Sequence, residues 1–119
     1  MNTQPEQLRD RTKAFALRVI RLFRSLPFKP DAQVLGKQLL RCGTSVAANY
    51  RAVCRARSKA EFVARFGVVV EEADEAVLWL ELLAESGIVS HEKTAELLTE
   101  ARELTGIFTA SQRTARGAA

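Results

Sequence analysis

Evenly spaced basic residues are the part of this sequence whose chemistry is easiest to name. Four of them fall on one narrow stripe of the second predicted helix: Lys37, Arg41, Arg51 and Arg55. Four more share the side of the first helix opposite its apolar stripe: Arg11, Arg18, Arg21 and Arg24. Repeated cations bind polyanions, because each phosphate that they neutralise releases condensed counterions. Since the two helices are consecutive, we expect one basic surface for nucleic acid, made by Arg18, Arg21, Lys37, Arg41, Arg51 and Arg55.

The charge balance along the chain supports a binding surface but leaves its partner open. The first 57 residues carry twelve Lys or Arg and three acids, a balance of +9, while the remaining 62 carry six and eleven, a balance of −5. Acids are too few on the first two helices to neutralise this surplus through pairs one turn apart. A solvated polar face is the alternative, and the same cations suit an acidic partner protein as well as RNA or DNA. Tyr50 offers either a ring for base stacking or a core side chain.

No pattern in the sequence indicates catalysis or metal binding. Neither a Ser/His/Asp or Cys/His arrangement nor a glycine-rich phosphate loop occurs, so we expect no enzymatic activity and no cofactor. A di-metal site in a helical bundle needs Glu-x-x-His motifs on two helices, and the single histidine, His91, has no Glu three residues before it. We therefore predict no metal site and an exposed His91. The acids Glu71, Glu72, Asp74 and Glu75 are expected to pair with basic residues of the first two helices.

The cysteines and the apolar runs bear on the cellular compartment. Cys42 and Cys54 lie twelve residues apart on one predicted helix. That spacing is roughly 18 Å along a helix axis, which exceeds the reach of a disulfide. We expect both to be small buried thiols in a reducing cytoplasm. The first eleven residues lack the apolar stretch of a signal peptide, and no run is long enough to span a membrane.

Three breaks divide the chain into four helices. Two prolines interrupt residues 25–30, Ser58 and Glu61 have the spacing of a capping box, and Ser86-Gly87 followed by Ser90 ends one helix and starts another. The predicted helices cover about 6–25, 31–56, 59–86 and 90–113, and the tail 111–119 is expected to fray. Short connections between long helices predict an all-α, antiparallel, up-down four-helix bundle that forms one domain over 1–119.

The third helix is apolar on more than one side. A heptad seam predicts its core face, made by Phe62, Phe66, Val69, Ala73, Ala76, Leu80 and Leu83. Four further apolar residues point away from that seam: Val68, Leu78, Trp79 and Leu82. Such a helix is buried on more than one side. The second partner is either another subunit of a closed oligomer or a widened core of the same chain.

Polar side chains also occur on the apolar face of the second helix. Gln38, Ser45 and Asn49 alternate there with Val34 and Val46, among other apolar residues. Buried polar groups need hydrogen-bond partners, so we expect bonds across the bundle or across a subunit interface. Their expected role is to fix the register of the helices rather than to bind a ligand.

Four segments carry a resemblance to a known family. They are SVAANYRA at 45–52, CRARSKAEF at 54–62, EEADE at 71–75 and WLELL at 79–83. With these motifs the chain resembles the bacterial four-helix-bundle proteins encoded in intervening sequences of 23S ribosomal RNA genes, often labelled S23 ribosomal proteins. The resemblance runs from about Phe15 to Phe108. Many members have Glu-Gly three residues after the matching Asn, whereas this chain has Ala52-Val53 and looks like a sub-branch that reads Asn-Tyr-Arg-Ala.

The resemblance implies a fold and an assembly. Relatives are similar to the accessory protein of diversity-generating retroelements, a basic, ring-shaped pentamer that works with a reverse transcriptase and nucleic acid. By this analogy the chain is expected to be a homo-oligomer, with a pentamer as the model, that repeats its basic surface. The family brings no established enzyme chemistry, and the S23 label does not imply residence in the ribosome. We expect a non-catalytic scaffold for nucleic acid, most simply RNA, with a protein-interaction module as the alternative.

Overall fold

The computed structural model describes residues 3–117 and consists of four α-helices. They are α1 (Gln4–Arg24), α2 (Pro30–Cys54), α3 (Lys59–Glu85) and α4 (His91–Ala115), and no strand occurs among the described residues. Successive helices pack against each other, and α1 closes the bundle by contacting α4. The predicted all-α four-helix bundle is confirmed. No helix in this part of the chain combines the length and apolarity needed to cross a bilayer.

Side-chain caps and a glycine set the helix ends. The Ser58 side chain accepts the Glu61 backbone N–H at 3.1 Å, and Ser90 does the same for Lys93 at 3.2 Å. Gly87 follows α3 with a φ of +82°, a conformation that favours glycine because it has no Cβ. These three signals were predicted. A fourth, Thr3, accepts the Glu6 N–H at 3.3 Å and starts α1 two residues earlier than expected.

The predicted fraying of the carboxyl-terminal tail was wrong for its first part. Helix α4 continues to Ala115, and Ser111 and Gln112 are half-buried. Contact with the start of α3 accounts for this, since a Cβ on Gly67 would lie 2.9 Å from Gln112 Nε2. Residues 118–119 of the predicted tail lie outside the described residues.

The core runs along the whole bundle and draws on all four helices. Six of the seven predicted seam residues of α3 are buried, and the seventh, Phe62, is half-buried. At the end where α2 finishes, the rings of Tyr50, Phe66 and Phe108 meet, with centroids 5.4–6.2 Å apart. Tyr50 is 4% exposed, so it is a core side chain rather than a stacking surface for bases.

Close contact between α1 and α2 depends on Gly43. A Cβ at this position would lie 2.8 Å from Val19 Cγ2, closer than real Cβ contacts allow. The glycine therefore sets the distance between the two helices that carry most of the basic residues. That distance fixes how near the side chains of α1 stand to those of α2.

The polar residues on α2 bond along their own helix rather than across the bundle. The Asn49 amide donates to Ser45 O at 2.9 Å and to Ser45 Oγ at 2.8 Å, while Gln38 Oε1 accepts from Arg41. All three side chains are half-buried. The expectation of bonds across the bundle was therefore wrong within the chain, because residues three or four apart on α2 bond to each other instead. A role in fixing register stays a prediction.

Two smaller expectations about α2 were also wrong. Val34, predicted for the apolar face, is 62% exposed, because the buried residues on either side of it are Ala32 and Gly36. Cys42 is buried as expected, but Cys54 at the end of the helix is exposed.

Candidate nucleic-acid interface

The six predicted cations do not form one continuous surface. Arg18 lies toward α4, where its Nη2 is 4.0 Å from Glu96 Oε2, and it shares a groove with Arg21. Arg41 lies toward α3 and contacts Glu72. The α1–α4 and α2–α3 seams are different sides of the bundle, so the expected wall is divided.

At the α2–α3 seam the charge of Arg41 is already neutralised. Its guanidinium donates to both carboxylate oxygens of Glu72 at 3.2 and 3.3 Å and to Glu75 Oε1 at 3.1 Å. Glu72 keeps only 15% of its side chain exposed. Arg41 therefore stabilises the contact between two helices and offers less charge to a ligand. We use the name Arg41 seam for Arg41, Glu72 and Glu75.

Together with Cys42, the two acids of the Arg41 seam form a set of atoms that a metal ion could use. Cys42 Sγ and carboxylate oxygens of Glu72 and Glu75 lie within 4.8 Å of one another. The guanidinium of Arg41 stands among them, 3.3 Å from Cys42 Sγ. Burial, followed by the neighbouring Glu72 carboxylate, raises the pKa of the Cys42 thiol to about 12. A protonated thiol beside a resident cation is a poor ligand set, so we assign this cluster to the packing of α2 on α3.

The α1–α4 seam repeats the same neutralisation. Arg11 donates through Nε to Glu100 at 3.1 Å and through Nη2 to Glu103 at 3.4 Å. The hydrogen bond with Glu100 is the main cause of the raised pKa of Arg11. Two of the four arginines on the basic side of α1, Arg11 and Arg18, therefore face acids of α4.

The predicted pairing of the α3 acids holds for two of the four. Glu72 and Glu75 pair with Arg41, as expected. Glu71 and Asp74 are exposed and form no ion pair with a described residue. His91 is exposed at the first position of α4, as predicted.

A different arrangement occurs where α2 ends. Arg51 and Arg55, one turn apart, meet Arg9 from α1, and these three side chains line a cavity of about 220 Å³. None of the three forms an ion pair with a carboxylate in the described part of the chain. The cavity wall is therefore cationic and uncompensated.

A second cleft adjoins this cavity on the side of α3. It measures about 490 Å³ and shares Arg51 and Arg55 with the cavity; its further lining includes Arg57, Arg65 and Glu61. Glu61 accepts from Arg65 Nε at 3.1 Å and lies 3.8 Å from Arg57 Nε. The hydrogen bond from Arg65 is the main cause of the lowered pKa of Glu61. The carboxylate of Glu61 thus forms ion pairs with two arginines.

Together these groups form a surface with a large excess of positive charge. We call it the arginine end, and it comprises Arg9, Arg51, Arg55, Arg57 and Arg65. With Glu61 as the acid in its lining, five cations and one anion leave a balance of +4. Guanidinium groups recognise phosphate well, because their planar fork of donors matches two oxygens at once.

Sequence reasoning found two of these five arginines and missed Arg9, Arg57 and Arg65. It grouped cations by stripes along single helices. In an antiparallel bundle the start of α1, the end of α2 and the start of α3 meet at one end. Grouping the cations by bundle end would have brought all five together.

The remaining predicted site residues lie on open surfaces. Arg21 and Lys37 are exposed and form no ion pair among the described residues. Three of the apolar residues assigned to an oligomer interface are exposed, at 39% for Val68, 46% for Leu78 and 38% for Leu82. The fourth, Trp79, is half-buried against the core, and its indole N–H is enclosed without an acceptor among the described residues.

The fold and this surface define a small four-helix-bundle protein whose uncompensated arginines concentrate at one end. The chain belongs to the 23S rRNA-intervening sequence protein family, whose sequence profile matches residues 7–110. The expected resemblance to that family is confirmed. The further likeness to the accessory protein of diversity-generating retroelements stays a prediction.

A solved structure supports the same relationship. The chain is similar to a protein of unknown function from the S23 ribosomal protein family of Bacteroides thetaiotaomicron, with 28% identity and a TM-score of 0.85. The match covers 93% of this chain and 99% of the other. Among curated proteins none matches the sequence.

Proposed function

We propose that this protein is a non-catalytic, oligomeric scaffold that binds RNA in the cytoplasm. The observation that carries the proposal is the arginine end, where Arg9, Arg51 and Arg55 stand without carboxylate partners. Cations that a fold leaves unpaired repel one another, and a polyanion removes that repulsion while it releases counterions. The family's name, which refers to intervening sequences of 23S rRNA, favours RNA over DNA.

The six predicted cations contribute unequally in this proposal. Arg51 and Arg55 provide the main contacts, and Arg21 and Lys37 extend the basic surface along the bundle. Arg18 and Arg41 contribute less, because Glu96 and the acids of the Arg41 seam stand beside them. Contacts of this kind go to the phosphate backbone, so binding should show little sequence preference.

The oligomer in the proposal uses the apolar residues that the chain leaves exposed. A closed ring needs two different surfaces on each subunit, one for each neighbour. Val68, Leu78 and Leu82 on α3 provide one apolar surface, and Phe28 and Val34, 97% and 62% exposed, offer a second. Trp79 supports the first surface from inside. A ring of five subunits, as the family analogy suggests, would present five arginine ends to one RNA and gain avidity.

Light scattering at micromolar concentration tests the assembly. We expect a mass several times 13.2 kDa for the natural chain. Leu78→Glu with Leu82→Glu should lower it, because charges at an apolar interface are costly. Lys13→Glu, a charge change at an exposed position of α1, is the control away from this surface. A monomeric natural chain would contradict the oligomer.

Titration into labelled RNA and DNA, single- and double-stranded, tests the binding. We expect binding at about 50 mM salt that weakens roughly a thousandfold by about 200 mM if six to ten phosphates are neutralised. The double variant Arg51→Ala, Arg55→Ala should lose about two phosphate contacts. The slope of log affinity against log salt concentration should therefore become shallower by about two. Absence of binding at low salt would exclude the proposed function.

An acidic partner protein is the second candidate function. One observation favours it: Val34 and Lys37 are exposed one turn apart on α2, so a basic surface adjoins an apolar one. Protein interfaces combine both kinds of residue, whereas phosphate contacts need the cations alone. If this surface docks an acidic partner, Val34→Ser should weaken that protein complex while light scattering reports an unchanged oligomeric mass.

A further inference from the structure

We propose that the cavity between Arg9, Arg51 and Arg55 binds a terminal phosphomonoester of an RNA strand, at its 5′ or its 3′ end. The inference rests on the RNA-binding function proposed above and names the group that its most concave part recognises. An internal phosphodiester carries a single negative charge. A phosphomonoester carries about −1.5 to −2 at pH 7 and has three acceptor oxygens.

The cavity matches that group in charge and size. Its three lining residues are all arginines, each with five N–H donors and no acceptor. A volume of about 220 Å³ holds a phosphate group with a few waters, since one water occupies about 30 Å³ of liquid. Three arginines lining one cavity exceed what a monoanionic diester needs. A terminal phosphate uses all three.

Helix capping accounts for only part of this cluster. Cations near the end of α2 interact favourably with its last carbonyl groups, which would explain Arg51 in the final turn and Arg55 at the C-cap. Arg9 belongs to the second turn of α1, far from the last turn of its own helix, so capping does not explain its place here. A third cation at this place is explained by an anion that all three share.

Access to the cavity is compatible with a strand end. Arg9, Arg51 and Arg55 are exposed, so a phosphate can enter without opening the bundle. The adjoining cleft with Arg57 and Arg65 offers further cations for the next phosphates of the strand. The strand would therefore begin in the cavity and continue along the arginine end.

The experiment compares three RNAs of one sequence, each about 12 nucleotides long. One carries a 5′-phosphate, one a 3′-phosphate, and one ends in hydroxyl groups on both sides. Affinities are measured at about pH 7.5, where a phosphomonoester is largely dianionic because its second pKa is about 6. We expect at least one phosphorylated RNA to bind on the order of tenfold more tightly than the hydroxyl-ended RNA, because charge-assisted hydrogen bonds are strong.

Variants separate the geometry of the cavity from its charge. Arg55→Lys keeps the charge but loses the planar fork, so it should lose most of the preference for a terminal phosphate. Arg9→Ala should lose it as well. Lys37→Ala removes one exposed charge elsewhere on α2 and should weaken all three RNAs equally. Circular dichroism checks that each variant keeps its helices, as expected for exposed positions.

The outcomes distinguish this inference from the function on which it rests. Equal binding of all three RNAs would overturn the inference and leave RNA binding in place. Failure of every RNA to bind would overturn both. A preference that survives Arg55→Lys and Arg9→Ala would also contradict the cavity as its origin.

Discussion

Arg41 within α2 and Arg55 at the C-cap of the same helix have different surroundings. Arg41 contacts two carboxylates of α3 and holds the helices together at the Arg41 seam. Arg55, at the C-cap of α2, lines a cavity with two other arginines and forms no ion pair among the described residues. The position of a cation along the antiparallel bundle therefore decides whether acids of a neighbouring helix pair with it.

Reversing charge at the arginine end should have the largest effect on binding. Arg51→Glu with Arg55→Glu replaces two attractive contacts by two repulsive ones. We expect RNA affinity to fall on the order of a hundredfold or more at about 50 mM salt. Fluorescence anisotropy measures it. Arg41→Glu with Glu72→Arg reverses the pair at the Arg41 seam instead, and a comparable loss there would remove the distinction between the two regions.

The spacing of α1 and α2 determines how close Arg9 lies to Arg51 at the arginine end. Gly43→Ala would place a Cβ within 2.9 Å of both Cγ atoms of Val19, so one of the helices must move. Overpacking of this kind destabilises by about 1–3 kcal/mol, and a shift of α1 would also move Arg9 away from Arg51. Gly106→Ala, on α4 with nothing within 4 Å, should stabilise by about 0.5–1 kcal/mol. Denaturant melts compare them, and an unchanged Gly43→Ala melt would show that the spacing is not set here.

Removing the negative charges of the Arg41 seam should leave Arg41 without an ion pair, like the unpaired arginines of the arginine end. Glu72→Gln with Glu75→Gln frees the guanidinium of Arg41 and raises the net charge from +4 to +6. We expect RNA affinity to rise several-fold, on the order of one added phosphate contact. Glu71→Gln with Asp74→Asn makes the same charge change at exposed positions without releasing an arginine. If both double variants gain equally, net charge alone explains binding.

The two cysteines differ in burial, and this difference can be measured on the natural chain. The pKa of Cys42 is raised to about 12 from an ordinary value of 9.0, so its thiol stays protonated as the pH rises from 8 to 10. Cys54, next to Arg55, is exposed. We expect a thiol-specific disulfide reagent to label Cys54 in the native protein and Cys42 only after unfolding. Mass spectrometry of the labelled peptides distinguishes them, and rapid labelling of Cys42 would contradict its burial.

Local signals made most of the fold predictable. The prolines after α1, the caps Ser58 and Ser90, and Gly87 act within a few residues, so the sequence displays them directly. The heptad seam of α3 is equally local, and it predicted the buried face. Thr3 was missed because the apolar pattern of α1 begins only at Leu8.

The candidate site was less predictable, because it depends on contacts between helices. Glu72 and Glu75 meet Arg41 from 31 and 34 residues away, and Arg9 lines the cavity with Arg51, which follows it by 42 residues in the sequence (51 − 9). A helical wheel shows which residues of one helix share a face. It does not show which side chains of the other helices stand opposite, and that neighbourhood separates the Arg41 seam from the arginine end.

Nuclear magnetic resonance of the arginine side chains tests the central claim most directly. Labelled protein is titrated with RNA at low salt, and the Nε–Hε signals are followed individually. We predict large shifts for Arg9, Arg51 and Arg55, with Arg41 held in place by Glu72 and Glu75. Shifts concentrated on Arg41, with the arginine end unchanged, would contradict it.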